Sequence, residues 1–220
     1  MKYKAVVFDM DGVIFDSERL VLECWKEIAQ TKGMEHMDEV FRKCIGTNMI
    51  KTKEILLEHY GEDFPFDTFR KEASILFHSQ YDNGRLPMKA GIKELLVYLK
   101  EQGVRIGLAS STRYEVVRQE LQDAGILSYF QSLTCGDMVK QSKPEPEIFL
   151  KACESLFVKP EEAIAIEDSF NGIRSAYRAG MFPIMVPDMI APNEEMKQLA
   201  GKIFLNLVEV KEWLQKEEIL

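Results

Sequence analysis

Two aspartates one residue apart, Asp9 and Asp11, end a short apolar run from Ala5 to Phe8. On an extended backbone, residues i and i+2 project to the same side, so both carboxylates aim at one point while Met10 faces away. Gly12 lets the chain turn directly behind them. Like charges held that close raise each other's pKa and cost stability unless a cation or a shared proton compensates. Taken alone, Asp-x-Asp also describes a strand end running into an acidic turn.

Three further stretches carry groups of the same kind. Ser110-Ser111-Thr112 follows the apolar run 104–109. Its hydroxyls and free N–H groups at a helix N-terminus form a cradle for an anion, and plain helix capping explains them equally well. Lys143 precedes Pro144, which pushes it out of the helical region and itself suits a first helical turn. The lysine is thus held extended ahead of a helix, pointing over a sheet or simply solvated. Ile164-Ala165-Ile166 ends in the adjacent acids Glu167 and Asp168. Gathered at one edge, Asp9, Asp11, Glu167 and Asp168 would be strongly destabilising with no cation among them. All-oxygen ligation, with room for waters and a phosphate, suits Mg2+ better than zinc.

Elements that would bring these pieces together are visible in the apolar spacing. Residues 17–85 read as all helical. A helix starts at an Asp16 or Ser17 N-cap, with Leu20, Cys24, Trp25 and Ile28 at helical intervals, and ends at Gly33. A short helix is predicted over 38–44, a third from a Thr47-Asn48 cap to Tyr60, and a fourth from an Asp67 cap to about Asp82. From Ala90 onward helices and strands alternate: helix 91–102, strand 104–109, helix 112–125, strand 131–135, helix 144–156, strand 163–166. Helix 171–179, strand 182–186, a weaker strand 202–207 and helix 208–215 complete the series. Such alternation implies an α/β fold, a Rossmann-like doubly wound parallel sheet covered on both faces. Ligands of such sheets bind at the carboxyl ends of the strands, where all four stretches fall. The expected organisation is a core of 1–16 and 86–220, with a small all-helical cap, 17–85, inserted after strand one.

Composition narrows the class. With 46% hydrophobic and 29% charged residues in 220, the chain has ample material for a core. A net charge of -8 argues against a nucleic-acid partner, and no apolar window is long enough to cross a membrane. The N-terminal apolar run is too short for a signal peptide. Cys24, Cys44, Cys135 and Cys153 lack metal or redox spacing, which fits reduced, packing cysteines and a cytoplasmic setting. His36, His59 and His78 are scattered.

In this order and register, Asp9-Met10-Asp11-Gly12-Val13, Ser110, Lys143 and Glu167-Asp168 resemble the four motifs of the haloacid dehalogenase superfamily. The helical insert is similar to that superfamily's small cap domain. Asp16-Ser17-Glu18 and Lys143-Pro144-Glu145-Pro146-Glu147-Ile148-Phe149 most resemble its beta-phosphoglucomutase-like phosphatases. The resemblance implies Mg2+-dependent hydrolysis of a small phosphorylated metabolite, a sugar or sugar-like phosphate monoester; a monomer is expected. Asp9 would be the nucleophile, forming an aspartyl-phosphate. Asp11 would protonate the leaving group and then deprotonate water. The ion would be held by the Asp9 carboxylate, the Asp11 carbonyl and Asp168, with Glu167 in or just outside its coordination shell. Ser110, the neighbouring N–H groups at Ser111, and Lys143 would hold the phosphoryl oxygens. Gly46, Thr47 and Asn48 resemble a cap loop facing the site. There Thr47 and Asn48 either bind a sugar-like hydroxyl or only cap the next helix.

The mutases proper carry a histidine ten residues after the second aspartate, where this chain has Val21, and basic residues around the cap glycine, absent from 45–49. Hydrolysis is therefore expected over a mutase reaction. Asp11 disfavours a dehalogenase, and the full set of acids with the lysine disfavours a non-catalytic binding protein.

Overall fold

The first apolar run forms β1 (Ala5–Phe8), entirely buried, inside a parallel sheet of six strands. The computed structural model describes residues 3–45, 47 and 49–217. Across the sheet the order is β3 (Ser132–Cys135), β2 (Arg105–Ser110), β1, β4 (Ala163–Glu167), β5 (Phe182–Met185) and β6 (Lys202–Ile203). The chain builds outward from β1 in one direction and then the other, so β1 and its neighbours form the switch point where such sheets bind ligands. Phe8 pairs with Leu108 on one side and Ile166 on the other. The Asp9 N–H extends the β4 ladder by donating to the Ile166 carbonyl at 2.9 Å.

Alternation along the strands feeds two separate cores. Val6, Phe8, Ile106, Leu108, Ile164 and Ile166 pack beneath α5 (Ile92–Glu101), α6 (Tyr114–Asp123) and α10 (Leu207–Glu217). Ala5, Val7, Ala163 and Ala165 line the other face under α7 (Glu147–Ser155) and α8 (Phe170–Arg178). Met10 joins the first core, as expected for a residue facing away from its flanking aspartates.

Between β1 and β2 lie α1 (Ser17–Thr31), α2 (Met37–Cys44), α3 (Met49–Tyr60) and α4 (Phe66–Tyr81). They enclose an apolar cluster of their own, in which the Trp25 ring stands edge-on to Phe41 and Phe69 at centroid distances of 5.1 and 5.3 Å, a favoured aromatic geometry.

Several helix starts differ from the sequence reading. Pro65, not Asp67, directly precedes α4. Pro144 stands ahead of α7 instead of in its first turn, and Pro146 takes the flanking position. Thr112 does not cap α6; the Asp137 carboxylate accepts from the Tyr114 N–H there. The six-residue α9 (Glu194–Leu199), capped by Asn193 on the Met196 N–H, is too short to show a helical period and was not predicted. The four cysteines are buried and free. Among the described residues, no helix is long and apolar enough to cross a membrane.

Candidate active site

The segment after β1 is a tight loop. The N–H groups of Ile14 and Phe15 donate to the Met10 carbonyl, and that of Gly12 to Phe15. Gly12 has φ +80°, and a Cβ on it would lie 2.3 Å from Asp168 Oδ2. One glycine thus permits both the turn and the approach of the last motif to the first. The Asp11 carboxylate is gripped from two sides: Ser17 Oγ donates to Oδ1 at 2.6 Å and Thr112 Oγ1 to Oδ2 at 3.0 Å. The sequence reading left both hydroxyls open to helix capping; in the structure they fix the orientation of a carboxylate.

Lys143 reaches over the sheet, as expected, and its ammonium donates to Asp9 Oδ1, to Glu167 Oε1 at 2.6 Å and to the Ala109 carbonyl at 2.9 Å. Its loop is pinned by Glu147 at the start of α7, whose Oε2 accepts from the N–H groups of Lys140 and Gln141. Glu167 is fully buried. Its Oε2 accepts from the N–H groups of Asp168 and Ser169 and from the Ser169 hydroxyl. That hydroxyl in turn accepts the Gly172 N–H and caps α8. Gly172 is needed here, since a Cβ would fall 1.8 Å from Glu167 Cδ.

Burial, partly offset by the Lys143 ammonium, holds the Asp9 carboxyl well above the usual range, and the Glu167 and Asp11 charges push the same way. Burial likewise raises Asp168, reinforced by Glu167 and Asp9. For Lys143, burial works toward the neutral form, but the Asp9 and Glu167 charges outweigh it and keep the ammonium firmly charged. Asp9, Glu167 and Asp168 each bring a carboxylate oxygen within 4.8 Å of the others. Three buried acids against one lysine leave an excess of negative charge. An all-oxygen set of this kind fits a hard divalent cation such as Mg2+. The Asp11 side chain lies outside that triad, committed to Ser17 and Thr112.

A cavity of about 590 Å³ separates this edge from the helical insert. Asp9, Asp11, Ser111, Lys143 and Asp168 form its floor, while Glu18, Val21, Trp25, Thr47 and Met49 face it from the insert. Burial, with the Asp11 and Asp188 charges, pushes the Glu18 carboxyl up to about 7. Ser110 is buried at the end of β2, its Oγ accepting the Thr112 N–H at 3.0 Å. Gly46 and Asn48 lie outside the described residues. Thr47, between them, lines the cavity, and its hydroxyl donates to the Cys44 carbonyl at 2.7 Å and meets the Thr52 hydroxyl at 2.9 Å. Sequence reasoning missed Ser169 and the glycine at 172, whose roles rest on what Glu167 needs around it.

The chain resembles proteins of known family along most of its length. Residues 6–186 match the model of the family described as Haloacid dehalogenase-like hydrolase. A "Phosphorylated carbohydrates phosphatase" of Thermotoga maritima is 31% identical, over 81% of this chain and 82% of its own. A "Beta-phosphoglucomutase" of Bacillus subtilis is also 31% identical, over 83% of each. Among solved structures, CbbY from Rhodobacter sphaeroides in complex with phosphate superposes with a TM-score of 0.78 at 27% identity, covering 94% of this chain and 96% of that one. Four motifs at the carboxyl edge of one parallel sheet and these matches lead to one assignment: the chain belongs to the haloacid dehalogenase-like hydrolases.

Proposed function

We propose that this enzyme is a Mg2+-dependent phosphatase of a small phosphorylated metabolite, a sugar or sugar-like phosphate monoester, with Asp9 as nucleophile. The observation that carries this reading is Asp9, held by Lys143, beside a fixed Asp11 and a buried acid triad in one cavity. The relative from Thermotoga maritima, by its name a phosphatase of phosphorylated carbohydrates, supports the substrate class.

Lys143 binds one Asp9 oxygen, so the other is left to attack phosphorus in line with the departing oxygen. The resulting aspartyl-phosphate is hydrolysed in a second step. Asp11, oriented by Ser17 and Thr112, gives a proton to the leaving oxygen and then takes one from the attacking water. The Lys143 ammonium and the N–H groups around Ser110 and Ser111 balance the charge that builds on the phosphoryl oxygens. Asp9, Asp168 and the Asp11 carbonyl would hold the ion, and Glu167 would steady both Lys143 and Asp168 from behind. When bound, the cation lets two anions approach each other and spreads the charge of the transferring group. In this reading 17–85 acts as a cap over a core of 1–16 and 86–220, closing to exclude bulk water.

A mutase reading has the support of the Bacillus subtilis relative. Val21 faces the cavity where a mutase needs its histidine, which favours hydrolysis.

The test is phosphate release with Mg2+ over sugar phosphates, polyol phosphates and nucleotides, run beside EDTA and Asp9→Asn. Turnover on a sugar-like ester is expected, abolished by chelation and by the substitution. An Asp9→Asn variant that keeps most activity on every active substrate ends the nucleophile assignment. Interconversion of glucose phosphates through a bisphosphate would favour the mutase.

A further inference from the structure

Glu18 stands in the first turn of α1 and faces the cavity from the insert, and the hydrolysis gives it no task. We propose, on the phosphatase reading, that Glu18 determines which ester fits: its carboxylate accepts hydrogen bonds from a pair of neighbouring hydroxyls on the body of the substrate.

An acid in a helix's first turn complements the helix dipole, a role served equally well from solvent. Glu18 instead is half-buried against the cavity, near the charges of Asp11 and Asp188. It makes no hydrogen bond or ion pair among the described residues, and neither of its oxygens is sealed from the space it borders. The cations that could have answered it are committed elsewhere. Arg19 beside it pairs with Asp16 and Glu23, and Lys89 pairs with Asp188. Nor does Glu18 belong to the acid triad, whose mutually close oxygens come from Asp9, Glu167 and Asp168. A carboxylate drawn partly out of water and left unpaired costs stability, so its partner is to be sought in what enters the cavity.

The rest of the wall says what that partner is. A phosphate held at Lys143 directs the remainder of its ester toward the insert. There Val21, Trp25 and Met49 are apolar, and the hydroxyls of Thr47 and Thr52 already meet each other, with Thr47 also placed to donate to the Cys44 carbonyl. Glu18 is the one charged group on that side among the described residues. The cavity's one cation among them, Lys143, is taken up by Asp9 and Glu167. A second phosphate or a carboxylate on the substrate would meet repulsion from Glu18 with no cation to offset it. An ionised carboxylate offers two acceptor oxygens side by side and no donor, the complement of two adjacent hydroxyls. The apolar residues then pack on the carbon chain. A bare alkyl chain would strip water from Glu18 and return no donor, the larger penalty.

Four six-carbon esters test this: sorbitol 6-phosphate, hexyl phosphate, 6-phosphogluconate and 6-aminohexyl phosphate, each with MgCl2, on wild type and Glu18→Ala. The substitution should cut kcat/KM for sorbitol 6-phosphate by about tenfold or more beyond any loss on hexyl phosphate, the worth of a hydrogen bond to a charged group. It should also raise 6-phosphogluconate relative to sorbitol 6-phosphate by a similar factor. Glu18→Gln, which keeps the size but accepts through one oxygen, should show a smaller preference for the polyol than wild type and decides the matter if Glu18→Ala does not fold. Calorimetric titration of the same esters into Asp9→Asn enzyme, with and without the Glu18 substitution, reads the preference without turnover. Absence of hydrolysis on all four esters thus counts against the phosphatase reading, and the Glu18 role is then decided by affinity. Equal effects of the substitution on sorbitol and hexyl phosphates overturn that role, as does a preference for 6-aminohexyl phosphate that Glu18→Ala removes.

Discussion

Asp11 accepts one hydrogen bond on each carboxylate oxygen, from the Ser17 hydroxyl at the start of α1 and from the Thr112 hydroxyl just after β2. A carboxylate on a loop has two soft torsions, and two donors at fixed positions remove that freedom at the place where a proton must be delivered. Thr112→Val keeps the shape and deletes one donor. A hydrogen bond to a charged group is worth enough that kcat should fall about ten- to a hundredfold, with KM little changed and the melting temperature preserved. Thr112→Ser should recover most of the loss. Steady-state kinetics on the best substrate decide it; a kcat within twofold of wild type in Thr112→Val removes the positioning role. These hydroxyls were visible in the sequence as residues beside strand ends, and helix capping accounted for them equally well. Thr112 and Asp11 are 101 residues apart, a distance that no local pattern spans.

At the level of elements, Gly172 sets helix propensity against packing. Inside α8, alanine in place of glycine would ordinarily gain about 1 kcal/mol. Here the new Cβ would fall 1.8 Å from Glu167 Cδ, and that carboxylate cannot step aside, because Lys143 holds one oxygen and Asp168 and Ser169 hold the other. Overpacking a rigid site costs typically 1–3 kcal/mol, and a clash this close with a carboxylate held at both oxygens belongs at the upper end, so packing wins and Gly172→Ala should lower stability by up to about 2 kcal/mol net. Chemical denaturation measures the sign, and a variant as stable as wild type or more so would show that Glu167 is free to move. The order and kind of the main elements could be read from apolar runs and spacing: β1, β2 and β4 follow from their uninterrupted buried residues. Some helix starts could be read too, as at Asp16 and Gly91, but others could not. Which donor meets which acceptor is a tertiary fact, as when Asp137, from beyond β3, takes the Tyr114 N–H that Thr112 was expected to serve. The insert's helices were legible, yet nothing in the helix expected over 171–179 singled out Gly172, because Glu167's need for space is invisible from α8 alone.

For the whole molecule, the sheet order places β5 one strand beyond β4, and the loop that leaves it reaches the helical insert. Met189 packs against the insert's apolar cluster, and the Arg42 guanidinium donates to the Met189 carbonyl at 3.2 Å. The preceding Asp188 pairs with Lys89, whose ammonium also lies 3.6 Å from Asp16 at the first crossing into the insert. The insert is therefore held by a strap as well as by its two covalent linkers. Nothing in 187–190 announces this in the sequence, because the contact depends on where a distant strand is seated. The strap predicts a coupled loss. Met189→Ser should free the insert at a cost of about 1–2 kcal/mol of burial, and Arg42→Ala should add little to it, since both cut one connection. Amide hydrogen exchange should quicken in α2 while the exchange of β1, β2 and β4 stays at its wild-type rate, and KM should rise as the wall facing Asp9 loosens. If exchange in α2 is unchanged in the double variant, the linkers and the packing of Leu20, Phe77 and Tyr81 on the core hold the insert, and Met189 is a passive contact.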